Sequence, residues 1–117
     1  MDCILEQGFN FCAFDFSGCG NSEGKWVTLG HKEKDDLKSV IEYIQENHNV
    51  STVGLWGRSM GATSSLLYMK ENPGTVSCAV LDSGFSNLKD VTKTMGGQMG
   101  VPPELVEMLL PMLTQGV

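Results

Sequence analysis

The residues best suited to chemistry lie near the middle of the chain. Gly57-Arg58-Ser59-Met60-Gly61 is a G-x-S-x-G sequence, a pattern that sets a serine on a sharp turn with its hydroxyl projecting. On steric grounds, side chains two positions before and after the serine would strike neighbouring backbone, so Gly57 and Gly61 are expected to carry none. A turn of this kind is strained. It also leaves the Met60 amide free at a helix N-terminus, where it can stabilise the oxyanion of an acyl-transfer intermediate. Ser59 is therefore the candidate nucleophile and Met60 the candidate oxyanion donor. The opposing reading is a glycine-rich strand-to-helix turn whose serine only caps the helix. In a chain with 14 glycines the pentapeptide decides little by itself, and its flanks must decide.

Those flanks have the required form. Thr52–Gly57 reads as a buried strand, and Met60–Asn72 as a helix that is apolar over much of its surface and stopped by Pro73-Gly74. Upstream, the aromatic run Phe9–Phe16 reads as another buried strand, followed by a glycine-rich loop from Gly18 to Gly30. From His31 the pattern turns helical. Leu37, Val40, Ile41 and Ile44 form one stripe, and Glu33, Asp35 and Asp36 sit in the first turns, where the helix dipole favours negative charge. Val76–Asp82 gives a third strand. Strands alternating with helices of this length indicate a parallel sheet, hence an α/β fold with three mainly parallel strands and flanking helices. Beyond residue 90 the character changes. Ser86 caps a short helix carrying Leu88, Val91 and Met95, the glycine-rich stretch 96–100 reads as flexible, and Pro103 opens a Met- and Leu-rich helix near Leu105–Leu110. The expected organisation is one domain over 1–117, with core elements in 1–90 and a helical, cap-like segment in 91–117.

Other chemistries fit less well. Gly18, Gly20 and Gly24 follow the first strand but are spaced G-x-G-x-x-x-G, no helix opens after them, and no acidic residue ends the next strand. A dinucleotide-binding turn therefore fails at both checkpoints. Cys3, Cys12, Cys19 and Cys78 form no CxxC pair, so neither zinc nor a redox motif is suggested. Cys12 and Cys78, inside apolar runs, read as small hydrophobes, and Cys19 as a passive thiol. The formal charge of −6, with basic residues scattered, argues against nucleic acid and anionic membranes. No apolar run reaches the ~18 residues of a membrane span. The start of the chain lacks the pattern of a signal peptide, and a reducing, cytoplasmic setting is the expectation.

Read together, these blocks resemble the α/β-hydrolases. Phe14-Asp15-Phe16-Ser17-Gly18-Cys19-Gly20-Asn21-Ser22-Glu23-Gly24 is similar to the loop after their fourth strand, and Leu29–Leu37 to the helix start of the serine aminopeptidase-like branch, which includes the Bem46-like hydrolases. Gly54–Ala62 is similar to their elbow. Val80–Ser86 resembles their sixth strand and its exit, with Gly84 where many have proline. The resemblance implies a partial α/β-hydrolase fold and a serine hydrolase acting on ester, thioester or amide carbonyls of a small-molecule or acylated substrate, with no cofactor and no metal. It also implies that the catalytic histidine, the acid and a second oxyanion amide come from outside residues 1–117, so that the isolated chain is inactive. The alternative is a non-catalytic remnant or interaction module. Among local groups, His48 falls at the wrong end of the sheet to serve as base. His31 falls at the correct end but opens a solvated helix. Asp82 reads as structural rather than as the catalytic acid, Arg58 as solvated, and Trp56 as core packing beneath the elbow.

Overall fold

The computed structural model describes residues 2–102 and 104–108. Its elements are α1 (Asp2–Leu5), α2 (Glu33–Asn47), β1 (Gly54–Arg58), α3 (Met60–Glu71), β2 (Cys78–Asp82) and α4 (Leu88–Gln98), with a helical run, α5, at 104–108. The sequence pattern had not suggested α1. Part of the helix expected near Leu105–Leu110, including Pro103 and residues 109–110, lies outside the described residues.

The fold is α/β with parallel strands. β1 and β2 pair in parallel, joined by α3 as a crossover, with Leu55 opposite Ala79, Trp56 opposite Val80 and Arg58 opposite Asp82. The expected stripe on α2 is real. Leu37 and Ile41 are buried with Val53 and Tyr68, and Phe16, Ile44, Val50, Leu55, Met69 and Val76 pack around them. This small core lies between α2, α3 and one face of the sheet. Lys34 ties α2 to α3 through Glu71, with Nζ 2.6 Å from Oε2.

Several expectations need correction. Of three expected strands, two pair among the described residues; residues 9–16 form no ladder and are largely exposed. The aromatic run has the composition of a strand, but a strand also needs a neighbour, and among the described residues β1 pairs only with β2. Trp56 is not core. Side chains alternate along a strand; Leu55 and Gly57 face α3, which turns Trp56 to the uncovered face. Cys12 and Cys78 are exposed for related reasons, one on the unpaired segment and one on the open side of β2. The stretch expected to be flexible continues α4 as far as Gln98. Gly96 allows α5 to approach it, since a Cβ there would lie 2.6 Å from Val106 Cγ2. Lys93 and Glu107 bridge the same pair at 2.9 Å.

Candidate functional site

The turn between β1 and α3 has the strain expected of it. Ser59 has φ 51° and ψ −112°, a region that a residue with a Cβ rarely occupies and that neighbours must enforce. They do so from both sides. The Ser59 N–H donates to Asp82 O at 2.9 Å, tying the turn to the end of β2, and the Thr63 N–H donates to Ser59 O at 3.1 Å, tying it to the first turn of α3. Gly57 is required here, because a Cβ would stand 2.4 Å from Gly61 O and 2.7 Å from Ala62 N. Gly61 is a different case. A Cβ there would meet no atom within 4 Å, so the symmetric steric argument holds for the first glycine and not for the second.

Ser59 is exposed, and among the described residues its hydroxyl has no hydrogen-bond partner. No described carbonyl accepts the Met60 amide, which stands as the first residue of α3. A projecting hydroxyl thus lies beside an open helix N-terminus, an arrangement in which an attacked carbonyl oxygen could be met by an N–H donor.

The other candidates are dispersed. Arg58 Nε lies 3.4 Å from Asp82 Oδ2, with both side chains largely exposed. Asp82 Oδ1 also accepts the Ser83 hydroxyl at 2.8 Å. The Asp82 carboxylate therefore serves the strand ends, and no described histidine contacts it. His48 follows α2 and stacks edge-on against Tyr43 at 5.8 Å. His31 is exposed and lines an open cleft of about 530 Å³ with Leu29, Thr63, Leu66, Leu67 and Phe85. Ser59 does not line that cleft. Neither histidine hydrogen-bonds to Ser59. Cys19 is half-buried in the loop. Among the described residues no cluster of His, Cys, Asp or Glu has the form of a metal site.

Three positioning devices escaped the sequence pattern. Glu33 was expected only to favour the helix dipole. It is 1% exposed, and its carboxylate accepts the Thr28 N–H, the Thr28 hydroxyl and the Gly30 N–H, each at 2.7 Å. Burial opposes ionisation, yet these donors together outweigh it and hold the carboxyl below its ordinary value. Thr28 Oγ1 in turn accepts the Lys32 N–H at 2.8 Å. This is a reciprocal cap wider than the usual four-residue box, and a threonine ahead of a first-turn glutamate was its only visible signal. The second device is Thr63, whose hydroxyl accepts the Phe85 N–H at 3.2 Å and fastens the exit of β2 to α3. Asp36 similarly accepts both the N–H and the hydroxyl of Ser17, at 2.8 and 2.9 Å.

A parallel α/β core with a strained serine between strand and helix defines the α/β-hydrolase class. The family is then settled by comparison: residues 1–115 match the serine aminopeptidase S33 family, and the chain belongs to it. The Pyrococcus furiosus esterase Pf2001 superposes with a TM-score of 0.68 at 31% identity, over 93% of this chain and 44% of that one. The chain is 39% identical to YqkD of Bacillus subtilis over 58% of its own length and 23% of that protein. It is 30% identical to the human protein ABHD12B over 73% of its length and 24% of that protein. It therefore spans about a quarter of these curated relatives. Among the described residues no helix is long and apolar enough to cross a membrane.

Proposed function

We propose that this chain carries the nucleophile segment of a serine hydrolase acting on ester, thioester or amide carbonyls. The observation that carries the reading is the backbone of Ser59, held at φ 51° and ψ −112° between β1 and α3 with its hydroxyl unpartnered among the described residues. Nothing in the packing of a helix cap requires such a conformation, and the strain has a use if the hydroxyl must project. In the proposed reaction Ser59 Oγ attacks the carbonyl carbon of a small-molecule or acylated substrate. The Met60 N–H donates to the developing oxyanion, and Gly57 lets α3 come close enough to present it. The proton leaves to a base outside residues 1–117, because neither His31 nor His48 bonds to Ser59. No cofactor or metal enters the step.

The absence of a bonded base favours a second reading, a hydrolase-like module that keeps the elbow for folding alone. Fluorophosphonate labelling of the purified chain, with Ser59→Ala as control, separates the two when repeated after mixing with the remainder of a family hydrolase. Labelling that depends on Ser59 in either preparation supports the nucleophile. No labelling in both, from a chain whose circular dichroism is folded, would leave the non-catalytic module.

A further inference from the structure

Ser59 is held on one side by the end of β2 and on the other by Thr63. Thr63 does more than close the first turn of α3. Its N–H donates to Ser59 O at 3.1 Å, and its hydroxyl accepts the Phe85 N–H at 3.2 Å. Its methyl packs against the loop ahead of α2, where a Cβ on Gly30 would stand 2.9 Å from Thr63 Cγ2. Three segments therefore converge on one side chain beside the strained serine. The loop is itself strained and pinned. Leu29 has φ 55°, a left-handed backbone that a bulky side chain disfavours. This conformation brings the amides on either side of it, from Thr28 and Gly30, to the single carboxylate of Glu33, each at 2.7 Å. Successive amides gather around an anion in the same way in a backbone nest. The Lys34 N–H also donates to Gly30 O at 3.2 Å, so Gly30 is fixed through both of its polar groups.

We infer that Glu33 is a positioning residue for Ser59, acting through Gly30 and Thr63. By pinning the loop at 28–30, its carboxylate sets where the first turn of α3 lies, and so where the Ser59 peptide is held. Every link is a contact made within the chain. Strain at Ser59 persists only while its neighbours over-determine it, and on the α3 side that neighbour is Thr63. Thr63 can fix the Ser59 carbonyl only if its own turn is kept in place. Gly30 backs it from the loop and Phe85 from the exit of β2. Without the carboxylate, Leu29 is free to relax to an ordinary backbone. Gly30 then withdraws from the Thr63 methyl, and the turn loosens. The catalytic meaning of this coupling rests on Ser59 being the nucleophile proposed above. The coupling itself does not, and its test needs no substrate.

Amide hydrogen exchange of the 117-residue chain, read residue by residue by NMR, tests the path. Glu33→Gln should speed exchange at the Ser59 and Thr63 amides about tenfold more than at Tyr68, further along the same helix. Lys34→Ala removes the other tie between α2 and α3, to Glu71, and should leave that ratio unchanged. Thr63→Ser keeps the hydroxyl and removes the methyl that meets Gly30. In that background Glu33→Gln should no longer alter the ratio, the signature of coupling through one contact. Equal acceleration at Ser59, Thr63 and Tyr68 would overturn the inference, since it would mark a general loss of stability. An unchanged ratio in Glu33→Gln, a rise of the same size in Lys34→Ala, or an effect that survives in the Thr63→Ser background would overturn it too. Should Glu33→Gln fail to fold, Thr28→Val, which removes the hydroxyl donor to the carboxylate, takes its place with the same expectations. Fluorophosphonate labelling is read separately, so loss of the coupling and loss of the nucleophile are told apart.

Discussion

The two glycines that flank Ser59 look equivalent in sequence, and the structure separates them by sign. At Gly57 an added Cβ would sit 2.4 Å from Gly61 O, 2.5 Å from Gly61 C and 2.7 Å from Ala62 N. These are backbone atoms of a packed helix, not the free end of a side chain. Relief requires α3 to retreat from β1 by roughly 1 Å, which forced overpacking makes expensive, and Gly57→Ala should destabilise by about 3 kcal/mol. At Gly61 the same methyl would meet nothing within 4 Å, and the residue lies in the first turn of α3. Gly61→Ala there lowers the entropy of the unfolded chain without a clash, and should stabilise by about 0.5–1 kcal/mol. Urea denaturation followed by circular dichroism measures both, with an unchanged slope needed for the comparison to stand. Because a retreat of α3 carries the Met60 amide with it, Gly57→Ala should also abolish any fluorophosphonate labelling that Gly61→Ala preserves. Equal destabilisation by both variants would refute the reasoning, since it would mean that Gly61 faces backbone the structure places elsewhere.

Glu33→Gln replaces an acceptor-only carboxylate with a group whose amide must face the N–H or hydroxyl donors of Thr28 and Gly30, and should cost about 2–3 kcal/mol in urea denaturation. Because bonding holds the folded carboxyl below its ordinary value despite burial, its contribution is complete above the unfolded pKa of about 4.3 and is lost as pH falls through the folded value. Glu33→Gln should therefore show a shallower loss of stability with acid below pH 4 than the parent chain. Ser59→Gly removes the Cβ from a left-handed backbone and should stabilise by about 1 kcal/mol in thermal or urea unfolding while abolishing labelling, whereas Ser59→Ala abolishes labelling with little stability change. Thr63→Val leaves the Phe85 N–H without its acceptor and should cost about 1 kcal/mol, seen also as faster amide exchange at Phe85.

What could be read from the sequence was local. The turn at Ser59 is signalled within a few residues, because Gly57 leaves room for α3 beside β1, although the strain itself is held by Asp82 O and Thr63 N–H. The stripe Leu37, Val40, Ile41 and Ile44 likewise shows which side of α2 faces the core before any partner is known. Trp56 and Phe9–Phe16 went the other way for one shared reason. Hydrophobic composition says that a residue seeks cover, but not that cover is present, and burial is settled by neighbours that no short window contains. Glu33 was misread because a carboxylate in a first turn has an adequate dipole explanation, and its reach back to Thr28 depends on the path of a glycine-rich loop. Asp36 and Ser17 lie further apart still, and no spacing rule connects them.

The arrangement at Ser59 is built from a short, contiguous stretch of the chain. Among the described residues the Ser59 backbone is hydrogen-bonded at two places: its N–H to Asp82 O at the end of β2, and its carbonyl to the Thr63 N–H in the first turn of α3. Those elements are joined into one crossover by the parallel register of β1 with β2. Strain at a functional turn persists only when the surroundings over-determine it, and here the surroundings are contiguous in sequence from Gly54 to Asp82. The proton acceptor obeys no such economy, since a base is useful wherever its ring reaches the hydroxyl and can arrive from a distant part of the chain. On the proposed reading, nucleophile and base are therefore separable in folding terms: the turn that holds Ser59 is built between Gly54 and Asp82, and its proton acceptor need not be.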